Sequence, residues 1–289
     1  MRRIVKKSLY IFIGLILSLS LILSGCESKE PTAQELLTNT VIAMQKVSSY
    51  TLDYDMAMDM EVTGGEDAMK MTMGGIGTGA MDVRNHKMQM TMDMDVEIPG
   101  AGTSQMTMTM SMEMYLVEGW LYTKMTIPGA GVQWTKMRNP DEISQDQMAQ
   151  LLVLMESATE TTLQGTEKVN GIDCYVLEVV PDMTALWQWL MSQQGSDLTG
   201  DIDLNQFDMS KIIKSFGLKY WIAKSNYQII KAEAEMTMDM DAETVGTSAE
   251  DFESMTMQMS FGMTFSDYNK TVNIQLPEEA LGAEEVSAQ

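Results

Sequence analysis

The chain has 289 residues, with 19 basic against 41 acidic side chains and a formal charge of −22. So strong an acidic excess repels nucleic acid and anionic lipid headgroups, and it excludes binding driven by phosphate contacts. Two cysteines are too few for a disulfide framework, so stability has to come from a packed core.

Arg2, Arg3, Lys6 and Lys7 precede an almost wholly apolar run from Leu9 to Leu23. A basic start followed by a short greasy run reads as an export signal, and the run falls short of the roughly 20 apolar residues of a spanning helix. It ends at Leu23-Ser24-Gly25-Cys26, which resembles a bacterial lipobox. That resemblance implies a lipoprotein signal peptide over residues 1–25 and lipid attachment at Cys26. The alternative is an uncleaved membrane anchor in which the cysteine is incidental. Removing residues 1–25 leaves 15 basic against 41 acidic side chains, a charge of −26. Cys174 is then the one remaining thiol and has no partner within the chain. Its strand-like setting, Ile172-Asp173-Cys174-Tyr175-Val176, favours a buried, inert thiol over a reactive one.

Residues 26–31 read as a polar tether and residues 32–289 as a single domain, because no long Pro/Ser/Gly linker interrupts them. Thr32 starts a helix with Glu35 three positions on, a capping box. Leu37, Val41, Met44 and Val47 then fall on one face. From Ser49 the period changes to two. Tyr50, Leu52, Tyr54, Met56, Met58, Met60 and Val62 point one way, and Asp53, Asp55, Asp59 and Glu61 the other, the mark of a strand with one dry and one wet face. Met69–Met73, Met88–Val96 and Met106–Leu116 repeat the pattern. Glycines at 74, 75, 77 and 79 suggest a bulge or a sharp bend.

Turns punctuate the rows. Ile98-Pro99-Gly100-Ala101-Gly102 and Ile127-Pro128-Gly129-Ala130-Gly131 read as hairpin loops, Glu118-Gly119 as a tighter link, and Asn170-Gly171 as a strong hairpin signal between 163–168 and 172–180. Helices are expected over Pro140 to about Glu160, Met183–Gln194 and Phe207–Phe216. Three strands follow, at Leu218–Ala223, Tyr227–Ala242 and Phe252–Asp267. From Glu278 the acidic tail is expected to be loose. The order is helix, about six strands, helix, two strands, two helices, three strands. Its economical solution is an α+β domain: a strongly curved antiparallel β-sheet, an open, incomplete β-barrel, wrapped around several α-helices with a concave apolar interior.

Several phrases resemble one superfamily: the lipobox, the opening helix ending in Val47-Ser48-Ser49-Tyr50, the long alternating strands, Gly119-Trp120-Leu121-Tyr122, Val169-Asn170-Gly171-Ile172, Leu218-Lys219-Tyr220-Trp221-Ile222 and Phe265-Ser266-Asp267-Tyr268-Asn269. The chain is similar to the LolA/LolB-like outer-membrane lipoprotein carriers and receptors, including LppX/LprG-type and related Gram-positive lipoproteins. The resemblance implies a LolA-like open barrel with a cavity for acyl chains, and hence lipid or lipoprotein handling. The methionine density departs from the usual Leu/Ile/Val lining of that family.

The chain carries 32 methionines, most of them in the alternating rows. Three readings stand side by side. The methionines are core; or they line a pliable pocket that reshapes around acyl chains; or Met-X-Met pairs of thioethers bind Cu(I). The candidate pocket comprises Tyr54, Met56, Met58, Met90, Met92, Met108, Met110, Met112, Leu186, Trp187, Leu190, Met238, Met257, Met259 and Phe261. Nucleophilic catalysis would need His86, the one histidine, which lies in a turn without a nucleophile motif. Asp201, Asp203 and Asn205 begin like a calcium loop, but Gln206 stands where glycine is required and Ile212 at the twelfth position. No cofactor, no metal, no nucleic acid and no enzymatic activity are expected. The expectation is a monomeric lipoprotein, held to the membrane through lipidated Cys26 on the extracytoplasmic face (an outer membrane if the cell has one), that binds a hydrophobic ligand as carrier or sensor. The alternatives are a structural or interaction lipoprotein with a solid core, and a Cu(I)-binding protein.

Overall fold

The structure is a computed structural model, and it describes residues 30–64, 68–99, 105–129, 131–138, 155, 158–182, 209–245 and 253–286. Ala33–Gln289 forms one compact unit. Its helix α1 spans Ala33–Met44, and the strands are β1 Ser49–Thr63, β2 Met69–Asp82, β3 Lys87–Pro99, β4 Gln105–Val117, β5 Trp120–Ile127, β6 Gly131–Arg138, β7 Glu160–Val169, β8 Ile172–Val180, β9 Ile213–Ala223, β10 Ile229–Asp241, β11 Ser254–Ser266 and β12 Glu284–Glu285. They make one sheet in the order β12-β6-β5-β4-β3-β2-β1-β11-β10-β9-β8-β7. Every neighbouring pair is antiparallel except β12 with β6. The sheet is curved and unclosed.

The period-two pattern sets which face is dry. Tyr50, Leu52 and Tyr54 of β1 are buried while Asp53 and Asp55, which alternate with them, are exposed. The inner face packs on Leu36, Leu37, Val41 and Met44 of α1, which are at most 5% exposed. Each such side chain removed from water stabilises the fold by about 1.5–3 kcal/mol. Leu177, Leu218, Tyr220, Ile222, Ala232 and Phe265 complete this core from β8 to β11.

The outer face carries the charge. Although the chain is strongly acidic, none of the described strand pairs sets two carboxylates directly opposite each other. Asp53 faces Thr78 and Thr264, Asp59 faces Thr72 and Gln258, and Glu61 faces Lys70 and Thr256. Like charges at opposed positions destabilise a sheet, and this register avoids them.

Strand β2 leaves part of the inner face bare. Its inner face offers only hydrogen atoms at Gly75, Gly77 and Gly79, so side chains from β1 and β3 close over it. Met56 and Met94 meet over Gly75, and Leu52 and Met90 over Gly79. The β1–β2 and β2–β3 registers run without a shift, so the glycines do not mark a bulge.

Three expectations are corrected. Among the described residues α1 is the one helix longer than a single turn, so a sheet wrapped around several helices is not supported. Of the expected helix at Phe207–Phe216, the described residues are helical over Met209–Ile212; from Ile213 the chain is strand, because Ser215 and Phe216 pair with Thr237 and Met236 of β10. The C-terminal segment is not loose. Ala280 is fully buried in a 3₁₀ turn, Glu284 and Glu285 pair with Thr135 and Lys136, and the Val286 amide donates to the Lys136 carbonyl. The expected helix at Met183–Gln194 lies outside the described residues, as does that at 140–160 except for Met155, which is helical and fully buried in the core, and residues 158–160.

Candidate functional site

Strand register converts the methionine rows into a two-dimensional field. Directly opposed inner-face residues form a rung from β10 to β2 at Met238, Met257, Met60 and Met71. The next rung runs Phe216, Met236, Met259, Met58, Met73, Val96 and Met108. A third runs Leu218, Ala234, Phe261, Met56, Gly75, Met94 and Met110, and a fourth Tyr220, Ala232, Met263, Tyr54, Gly77, Met92, Met112 and Met125. Adjacent strands lie about 4.8 Å apart, so opposed thioethers touch along each rung.

The field is graded. The fourth rung adjoins the core under α1, and Tyr54 there is only 4% exposed, its hydroxyl donating to the Thr91 carbonyl at 2.9 Å. Away from α1 the methionines of β1, β10 and β11 are half-buried, and at the rim Met69, Met106, Met108 and Met125 are exposed. The face is continuous and apolar, filled at one end and partly open to solvent over the rest.

Twelve of the fifteen residues picked from the sequence are described, and all twelve lie on this face. Tyr54 belongs to the core, and Met90, Met92 and Phe261 pack against it. Leu186, Trp187 and Leu190 lie outside the described residues, as do Cys26 and the acidic run at Asp201–Asn205. Sequence reading did not pick out Met60, Met71, Met73, Met94, Met236, Met240 and Met255 for the site, although their alternation carries the same signal. Among the described residues, one cleft of about 410 Å³ is lined by outer-face Asp53, Asp55, Ile76, Thr78 and Asp93 together with Tyr54 and Gly77 of the fourth rung; another, of about 210 Å³, sits between Ser48, Asp82, Arg84 and Asn269 at the strand ends.

Cys174 is fully buried on the outer face beside Val176 and Trp221, and burial pushes its thiol up. The same side carries Glu113, which accepts hydrogen bonds from Lys124 at 2.7 Å and from Tyr115 at 2.9 Å. The Lys124 bond holds the Glu113 carboxyl below the usual range, while burial and the carboxylate push the Tyr115 phenol up to about 12. His86 closes the β2–β3 turn with φ 52°. Among the described residues no His, Cys, Asp and Glu side chains gather as a group of three that could hold a metal ion.

Residues 32–285 match a profile described as a family of unknown function, DUF6612. The chain belongs to that family. None of the curated proteins matches this family member in sequence. Among solved structures it is similar to LprF from Mycobacterium bovis, at 11% identity, with 85% of this chain and 96% of that one covered and a TM-score of 0.42. It is likewise similar to the lipoprotein LppX from Mycobacterium tuberculosis, at 12% identity, 83% and 98% coverage and a TM-score of 0.39.

Proposed function

We propose that this family member is an extracytoplasmic lipoprotein, tethered to a membrane through lipidated Cys26, whose domain binds a lipid or similar elongated hydrophobe on the inner methionine field. The observation that carries the reading is the partial exposure of that field. The core under α1 accounts for one end of the inner face, and the rungs beyond it span four to seven strands and hold three to five thioethers each, with solvent access. An acyl chain laid across the rungs gains about 0.8 kcal/mol for each methylene removed from water. Three rotatable bonds per methionine let the face follow chains of different length, which suits a carrier or sensor of several related lipids. The binding step is passive partition.

The test is native mass spectrometry of the full-length protein, purified gently and held in amphipol, beside Met110→Trp and Met257→Trp. Lipid-sized adducts on the wild type that diminish in both folded variants support the reading. Adducts equally abundant in all three place the lipid elsewhere. A protein that stays free of lipid after incubation with membrane extract points to a solid core and an interaction role. A mass shift with Cu(I) alone assigns the Met238–Met257–Met60–Met71 rung to a soft metal.

A further inference from the structure

Among the described residues, the Tyr220 hydroxyl is the one buried side-chain polar atom with no hydrogen-bond partner. The chain satisfies comparable phenols from its own backbone: Tyr54 donates to the Thr91 carbonyl and Tyr268 to the Ile229 carbonyl. Buried phenols ordinarily find such partners, and an orphaned one costs about 1–3 kcal/mol, so its retention calls for a reason.

Its position supplies one. Tyr220 is 1% exposed on the inner face of β9, in the rung where the core under α1 gives way to the methionine field. Across the sheet it faces Ala232, with Ala234 one rung further on, the two smallest side chains of inner-face β10. Tyr220 thus lies one rung from Leu218 and Ala234, where the methionine field begins. Among the described residues no charged side chain is buried, and the other polar atoms of the core cluster around it are tyrosine hydroxyls such as that of Tyr54. Burial pushes the Tyr220 phenol up, so it stays neutral and donates. A neutral donor with no cation in that cluster is a poor host for an ionised carboxylate, whose desolvation it cannot offset. It suits a neutral oxygen acceptor.

We infer that Tyr220 is the polar anchor of the binding face and donates its hydrogen to a neutral ester, amide or hydroxyl oxygen of an acyl-bearing ligand whose chain lies on the methionine rungs. This rests on the function proposed above. It narrows the ligand class to esterified or otherwise uncharged lipids and disfavours free fatty acids.

The experiment compares wild type with Tyr220→Phe, both full-length in amphipol, using radiolabelled methyl palmitate, heptadecane and palmitate delivered from cyclodextrin. A single neutral hydrogen bond corresponds to roughly three- to tenfold in affinity. The expected wild-type to variant ratio is therefore about three to ten for methyl palmitate and about one for heptadecane, with palmitate bound more weakly than its ester by both. The ligand-free variant should melt at the same temperature as wild type or higher, because an orphaned hydroxyl has gone. Equal ratios for ester and alkane overturn the anchor and leave hydrophobe binding standing. A lower melting point of the ligand-free variant assigns the hydroxyl an internal partner and also overturns it. Failure of wild type to bind any of the three overturns the proposed function and the anchor with it.

Discussion

Tyr54 and Thr91 lie on strands separated by β2, yet the Tyr54 hydroxyl donates to the Thr91 carbonyl oxygen at 2.9 Å. Gly77 between them makes this possible. A Cβ there would collide with both the Thr91 carbonyl and the Tyr54 ring.

Gly77→Ala is accordingly expected to cost about 1–3 kcal/mol, since one of the colliding groups is backbone and the sheet itself must shift. Gly75→Ala should be nearly neutral, because its new Cβ crowds only the movable Met56 Cγ at 3.1 Å and Met94 Cγ at 3.3 Å and meets the Asp93 carbonyl at an ordinary 3.5 Å. Urea unfolding of the two variants measures the contrast. Equal stabilities would show that the approach of Tyr54 to Thr91 does not depend on Gly77.

Leu36 is fully buried where α1 meets the sheet. Leu36→Ala removes that contact and leaves a cavity, with an expected loss of about 2–5 kcal/mol. Met58→Leu, on the half-buried part of the face, should change stability by less than about 1 kcal/mol. Chemical denaturation distinguishes a packed end from an open one: a large loss at both positions would mean that the face is filled throughout.

Alkaline pH tests the core near the strand ends. Burial pushes the Tyr50 phenol up to about 12 from an ordinary value of 10.0. A group whose folded pKa is raised contributes fully below its unfolded pKa and loses that contribution as pH climbs through the folded one. Stability should therefore fall between about pH 10 and 12, and Tyr50→Phe should reduce that fall by on the order of 1–3 kcal/mol. Thermal melts across this range give the comparison, and identical pH slopes would refute the assignment to Tyr50.

Much of the fold is legible locally. Alternation at Tyr50–Val62 and Met255–Phe265 identifies the dry face without the structure, because side chains on a strand have a period of two. Asn170-Gly171 is read as a hairpin because both residues take positive φ, 49° and 83°. What was not legible is long-range. The pairing of Met58 with Met259 joins residues far apart in sequence, and no local pattern selects that register. Ser215 and Phe216 read as the end of a helix until β10 supplied their partners. Ala280 in an acidic tail carries no signal of burial, which comes from docking beside β6. Of the site, the methionines stand out by composition. Tyr220 does not, since only the packed core shows that its hydroxyl lacks a partner.

The most direct test of the methionine field is photocrosslinking with a lipid whose acyl chain carries a diazirine, followed by peptide mapping of the labelled protein. The account predicts labels on Met56–Met60, Met236–Met240 and Met255–Met259, competed away by unlabelled lipid. Labels confined to outer-face positions such as Ile76 and Thr78, or no competable label at all, would contradict it.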